Sequence, residues 1–476
     1  MGNSHSSPVQ SCLLSAVGNN QSLVAFSNQP FYQISSVKPY NLNIPVSPVA
    51  VTFPETSQHV AEIVKCAVDH GYKVQAKSGG HSYGNYGLGG KDPTITVDMM
   101  HFQQFNMDES THIATIGAGT LLSDVTSRLY SAGKRAMSHG VCPQVGSGGH
   151  FTIGGLGPTA REWGSSLDHI EEVEVVLANS SIIRASKDYN QDVLFAIQGA
   201  ASSFGIVTEF KVRTEPAPRE AVQYMYQFNV GSTADRAKLF KDWQTFISDP
   251  RLSRSFSSLL TVLDHAVIIS GNFYGTKAQY DELDIEQRFP IEGSGNVIIL
   301  NDWLTMVGTA QTELALQIGG SVQTHFYAKS MAFTASTLMS SFTVDELFHY
   351  FDTADKGTLL WFLEFDLEGG AVNDVPMNST AFAHRDVLYW VQSYIINLFG
   401  PVSKTSTDFL MEINNIICKS NPKPCQRAYP GYVDPLLPNA QQAYWGSNLP
   451  RLEKIKAAID PNDVFHNPQS VVPARH

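Results

Sequence analysis

The sequence has no cluster of basic residues. Its 32 Lys and Arg are outnumbered by 44 Asp and Glu, giving a formal net charge of −12. Nucleic-acid binding needs a basic footprint to displace counterions from phosphates, so that class is excluded. No run of 18 apolar residues occurs, which excludes a membrane-spanning helix. Internal repeats and like-charge blocks of five or more are absent. The 36 Gly and 24 Pro are scattered and read as turns. No stretch fits G-x-x-x-x-G-K-[ST], against a P-loop nucleotidase. No cluster has metal-ligand spacing, and no metal is expected.

Cysteine is scarce, with five in 476 residues. Cys418 and Cys425 bracket a short Pro-containing loop, KSNPKP, that suits a local disulfide. Cys12 reaches Cys66 only if the N-terminal segment packs on the helix that holds Cys66. Five reduced thiols are an equal alternative. Cys142 stands in a Gly-rich loop, where a thiol adds little packing and is open to chemistry. Met1–Val17 lacks the basic region and apolar core of a signal peptide. Sequons at Asn20, Asn179 and Asn378 lean instead toward the secretory pathway and a glycoprotein. The two signals conflict, and the sequence assigns no compartment.

What is present is enough for two or three structural units, with 43% hydrophobic residues to fill their cores. From Thr56 the segment TSQHVAEIVKCAVDHG has a Thr cap, apolar residues at helical spacing and Gly71 as a stop. Strands are expected over Tyr72–Ala76, Thr94–Met99 and His112–Ile116, a helix over Leu121–Ala132, and a hairpin around Asn179-Ser180. Beyond the Pro-rich turn TEPAPRE the strands lengthen (AVQYMYQFNV, FSSLLTVL, AVIISGNFYG, LLWFLEFDL), with amphipathic helices between them. This pattern predicts an α+β fold without the βαβ rhythm of a doubly wound sheet. The expected division is residues 1–213, an inserted unit over 214–420 with an antiparallel sheet flanked by helices, and 421–476 returning to the first unit.

Three Gly-rich loops carry the functional signal. The first runs from Lys77 through Ser78, Gly79, Gly80, His81, Ser82 and Tyr83 to Gly84. The second runs from Ser138 to Gly157 and holds Cys142, Gly146, Gly149, His150 and Gly154. The third, Gln198–Gly205, precedes a strand beginning Ile206-Val207. Amides left open by consecutive glycines form concavities suited to pyrophosphate oxygens. A single loop of this kind is weak evidence. Three in order, the first with a His and the second with a Cys, are specific.

At these residues the chain resembles the vanillyl-alcohol-oxidase superfamily of FAD enzymes. The match is to its berberine-bridge-enzyme-like branch, which includes the oligosaccharide oxidases. It rests on KSGGHSYG (77–84), HGVCPQVGSGGHFTIGGLG (139–157), FGIVTEF (204–210), AYPGYVD (428–434) and DPNDVFHNPQSV (460–471). The resemblance implies a two-part PCMH-type FAD-binding domain plus an inserted substrate domain. It implies FAD on two covalent bonds, through His81 to the 8α-methyl carbon and through Cys142 to C6. It implies Ser78, Gly79, Gly80, Ser82, Tyr83, Gly84, Gly146, Gly149, His150, Gly154, Gly157, Gly205, Ile206 and Val207 as further cofactor contacts.

On the substrate side it implies Tyr432 as the base and Asp366 as its partner, because hydride loss from an alcohol requires its proton to leave as well. Alternation along LLWFLEFDL puts Phe362, Glu364 and Asp366 on one face, and acids there would be costly to bury unpaired. Tyr83 and Gln392 match sugar-contacting positions. Phe362 and Glu364 replace the Trp/Gln of the sugar enzymes, which favours a less polar secondary-metabolite alcohol, phenol or polyketide over an oligosaccharide. O2 is the expected acceptor and a monomer the expected state. A non-redox scaffold or cyclase on the same fold is the alternative from another class. Two departures stand out: Gln-Gly-Ala-Ala-Ser-Ser replaces an Arg and a Gly run in the third loop, and Gly431 replaces an Asn.

Overall fold

In the computed structural model of the chain, residues 7–228, 231–289, 294–309 and 323–475 are described. The last two residues of the expected strand AVQYMYQFNV, and the first six of Met1–Val17, lie outside them. Thr56 starts the first long helix, its Oγ1 accepting the His59 amide at 3.1 Å. The helix spans Ser57–Asp69 and buries Val60, Ile63, Val64 and Ala67. Gly71, at φ +74°, turns the chain into the strand Lys73–Lys77. An earlier helix, Pro8–Ala16, is joined to Ser57–Asp69 by a Cys12–Cys66 disulfide. Cys418 and Cys425 form a second disulfide, so the all-thiol alternative is overturned.

The architecture is α+β. Val24–Phe26, Ala50–Thr52, Thr94–Asp98 and Lys73–Lys77 form a four-stranded mixed sheet in that order. Phe105–Asp108, Ile113–Gly117, Ile206–Arg213, Ile170–Val176 and Ile182–Ser186 form a five-stranded antiparallel sheet. A seven-stranded antiparallel sheet is built within residues 221–397. Its central strands in spatial order are Val267–Phe273, Leu259–Val262, Leu360–Leu367 and Tyr389–Asn397. Register places Thr261, Glu364 and Gln392 side by side in one row. The opposite face carries Leu260, Leu363, Phe365 and Val391, buried against the helices Thr233–Ile247, Ser341–Thr353 and Lys404–Ser420. One face is thus apolar and helix-covered, and the other carries this polar row beside a cluster of Phe326, Phe362 and Tyr394.

The second Gly-rich stretch differs from its expected loop form, because a helix, Ser147–Ile153, interrupts it. Burial of Phe151 and a hydrogen bond from Thr152 Oγ1 to the Gly148 carbonyl at 2.9 Å offset the poor helix propensity of its glycines. In the third stretch, Gly199 takes φ +139° at a kink in the helix Gln191–Ala200. A Cβ there would lie 2.4 Å from the Phe382 backbone nitrogen, so only Gly fits. No described helix is long and apolar enough to cross a membrane.

Candidate active site

A cavity of about 460 Å³ lies between the Gly-rich loops and the polar face of the seven-stranded sheet. The first loop contributes Lys77 to Tyr83, and the second contributes Cys142, Gly146, Gly149, His150 and Gly157. The third contributes Gly199 to Ser202 and Gly205, followed by Val207. The sheet adds Glu364, Asp366 and Gln392, and the C-terminal segment adds Tyr429 to Val433. Gly84, Gly154, Ile206 and Phe362 are not among its lining residues. Gly84 packs toward Tyr86 and Val433, and Gly154 toward Tyr429. Ile206 is in the core, and Phe362 stacks on Tyr394 at 5.0 Å between ring centroids.

His81 sits at the junction of strand Lys73–Lys77 and the sheet side of the cavity. The Tyr40 ring lies 4.5 Å from its imidazole, and burial lowers its pKa to about 4, so the ring is neutral at physiological pH. A neutral imidazole keeps a ring nitrogen lone pair for bonding. Cys142 belongs to neither disulfide and is half-buried on the same cavity. His150 steadies the cysteine loop. Its Nε2 accepts the Gly140 amide at 2.8 Å, and burial followed by the nearby His139 lowers its pKa to about 3. His139 is turned away from the cavity, with Nε2 2.9 Å from Thr126 Oγ1.

Across the cavity the Tyr432 ring stacks beside Tyr83 at 5.9 Å. Burial, with the Asp366 charge adding to it, pushes the Tyr432 phenol far above its ordinary range. Burial raises the Asp366 carboxyl to about 7, and burial with the Asp366 charge raises Glu364 to about 8. No hydrogen bond joins Asp366 to Tyr432 among the described residues. Their link is electrostatic, and the raised phenol is neutral.

Sequence reasoning missed several groups here. Tyr40 reaches His81 from a loop without periodic signal. Asn272, buried with an Oδ1 that has no partner among the described residues, lines the cavity from the strand Val267–Phe273. Asp434, the last residue of AYPGYVD, bonds the Tyr327 hydroxyl at 2.9 Å and pairs with Lys329, fastening the C-terminal segment to the sheet. No His/Cys/Asp/Glu group suited to a metal occurs among the described residues.

The FAD binding domain family matches residues 48–186, and the berberine and berberine-like family matches residues 428–472. The cavity fits the cofactor that this match implies. Its walls are glycine-rich backbone from three loops, and a Cβ added at Gly149 would meet nothing within 4 Å. Together the fold and the site define an FAD-dependent oxidoreductase.

The relatives agree. The chain is similar to the FAD-linked oxidoreductase sorD of Penicillium rubens, 40% identical over 97% of this chain and 98% of the relative. It is similar to the xylooligosaccharide oxidase from Myceliophthora thermophila C1 in complex with xylobiose. That likeness has a TM-score of 0.88 and 28% identity, covering 99% of this chain and 100% of that one. The same figures hold for a glucooligosaccharide oxidase from Acremonium strictum described with 6-S-cysteinyl, 8α-N1-histidyl FAD. The chain belongs to the berberine-bridge-enzyme-like FAD-linked oxidoreductases.

Proposed function

We propose that the protein oxidises a small secondary-metabolite alcohol, phenol or polyketide in this cavity, on FAD bonded to His81 and Cys142. The observation that carries the reading is the convergence of His81, Cys142, Asp366 and Tyr432 on one cavity from four distant chain segments. FAD, when bound, supplies the acceptor for the substrate hydride, and O2 is the class of oxidant that returns it to the oxidised state. Tyr432 takes the hydroxyl proton as its own phenolic proton passes on to the Asp366 carboxylate, the charged group that most affects that phenol. Tyr83 and Gln392 hold the substrate from beside Tyr432. His150 keeps the cysteine loop in place, and the loop 77–84 would hold the cofactor's pyrophosphate.

The division into residues 1–213, 214–420 and 421–476 belongs to the same proposal, with the middle unit presenting its polar sheet face to the flavin. The carbohydrate oxidases among the relatives support a second reading, an oligosaccharide substrate. Glu364, which stands on the cavity wall in place of the Gln of the sugar enzymes, favours the first.

Acid denaturation of the purified holoenzyme, with an absorbance scan and intact mass, tests the tethers. Expected is a flavin spectrum that stays with a chain heavier by one FAD. His81→Ala or Cys142→Ala alone retains the flavin through the other bond, and the double variant releases it. A colourless chain of bare mass, from protein expressed with ample FAD, rejects the covalent reading. Anaerobic flavin bleaching by a panel of alcohols, phenols and oligosaccharides then chooses between the substrate classes.

A further inference from the structure

Glu364 is 7% exposed, stands on the cavity wall, and has an Oε1 with no hydrogen-bond partner among the described residues. Its cross-strand neighbours are Thr261 and Gln392. Neither satisfies it. Thr261 Oγ1 also has no partner among the described residues, and Gln392 gives its amide hydrogen to Tyr83. Two positions along the same strand face, Asp366 opens on the same cavity.

The groups that face this pair bring no positive charge. The phenols of Tyr40, Tyr83, Tyr394 and Tyr432 are all raised by burial, and the His81 imidazole is lowered by it. Cys142 adds a thiol. The one Lys or Arg among the lining residues, Lys77, is taken by Asp98 at 3.0 Å. Two unpaired carboxylates in such surroundings are strongly disfavoured, so the pair retains a proton near neutral pH. Glu364 is the deeper of the two, buried where Asp366 is only partly so, and the Asp366 charge adds to burial in raising it. Among the described residues no acceptor receives that proton.

We propose that Glu364 is a neutral carboxylic acid that donates a hydrogen bond to an acceptor oxygen of the substrate, a carbonyl or conjugated enol oxygen near the oxidised carbon, while Asp366 is the anion of the pair. A ligand group able only to donate would leave this proton buried without a partner, at a cost in affinity. The substrate therefore carries, besides the hydroxyl that is oxidised, an oxygen that accepts a hydrogen bond, as a hydroxy ketone does. The inference rests on the reading of this cavity as the oxidation site and adds the substrate's second functional group.

Infrared difference spectroscopy of the holoenzyme across a pH series tests it through the C=O stretch of protonated carboxyls. Glu162, also raised by burial, contributes to every variant and cancels, while Glu368, raised by burial and the Asp366 charge, cancels between wild type and Glu364→Gln and is subtracted in Asp366→Asn with the double variant Glu364→Gln/Asp366→Asn. Expected is a carboxylic acid band present at neutral pH and lost as pH rises through about 8, missing in Glu364→Gln and retained in Asp366→Asn. A band lost only in Asp366→Asn, or no such band in the wild type, overturns the proposal.

A second measurement follows 4-hydroxyacetophenone binding by perturbation of the flavin absorbance. Glu364→Gln, which still donates, should bind within a few-fold of wild type. Glu364→Leu should lose on the order of 10- to 100-fold. Equal dissociation constants in all three also overturn it. Should both measurements succeed while no alcohol bleaches the flavin, the oxidation reading fails and the assignment of the proton to Glu364 stands.

Discussion

The Gln392 side chain donates its Nε2 hydrogen to the Tyr83 hydroxyl across 3.0 Å, joining two residues 309 positions apart. This bond ties the polar face of the seven-stranded sheet to the loop that carries His81. Burial pushes the Tyr83 phenol well above its ordinary range, and the Gln392 hydrogen bond partly opposes that. Gln392→Leu should remove the tie and leave a buried hydroxyl less satisfied, at about 1–3 kcal/mol. Thermal unfolding of the holoenzyme reads the stability loss. The substrate dissociation constant should rise with little change in the limiting rate of flavin reduction.

Tyr432→Phe should lower that limiting rate by about 10²- to 10⁴-fold, the usual range for loss of a positioned base. Flavin content and visible spectrum should stay close to wild type, which separates loss of the base from loss of the cofactor. Stopped-flow reduction under anaerobic conditions is the measurement. An unchanged rate would remove Tyr432 from the proton path.

Asp366 gives a pH signature in stability. Burial raises its folded-state value to about 7, so between the ordinary carboxylate value and about 7 the folded chain holds a proton that the unfolded chain has already released. The stabilisation from this site is full below the ordinary carboxylate value near 4 and is lost as pH rises through about 7. The midpoint of wild type minus that of Asp366→Asn should therefore fall between about pH 5 and about pH 8. Denaturant melts of the two proteins across that range check the sign.

Gly431 is fixed by Tyr429. A Cβ at position 431 would lie 2.3 Å from Tyr429 Cε1, and the Tyr429 hydroxyl accepts the Gly155 amide at 3.0 Å. Restoring the Asn that relatives of this type often carry, Gly431→Asn, should push the Tyr429 ring aside and break that bond. Expected is a loss of about 1–3 kcal/mol in stability, as for other overpacked sites, with slower flavin reduction. Double substitution with Tyr429→Ala should relieve the steric part of the stability loss.

The two disulfides should differ in weight. Cys12–Cys66 closes a separation of 54 residues and Cys418–Cys425 one of 7. Chain-entropy bookkeeping assigns about 4 kcal/mol to the first and about 2 kcal/mol to the second. Ser replacements at each pair, compared by urea melts, test the order. The exposed sequon residues Asn20, Asn179 and Asn378 are open to glycan attachment, which mass spectrometry of the protein from a secreting host would detect.

The local signals were strong enough to place much of this in the sequence. Thr56 and Gly71 bound a helix because capping and positive φ are decided by one or two residues. Period-two alternation put Phe362, Glu364 and Asp366 on one strand face for the same reason. The α+β class followed from the succession of such elements, and the family from motifs spread along nearly the whole chain.

Tertiary structure alone decided what covers each face and where the cavity ends. Phe362 shares its strand face with Glu364, yet stacks on Tyr394 and does not reach the cavity. Tyr40 lies on His81 through a loop that no periodicity marks. The depth that makes Glu364 and Asp366 hard to ionise, and the ring that forbids a side chain at Gly431, come from residues far away in the chain. Hydrogen-bond spacing along a strand is set by neighbouring residues. Burial and electrostatic potential are sums over everything that packs nearby, and those exist only once the chain has folded.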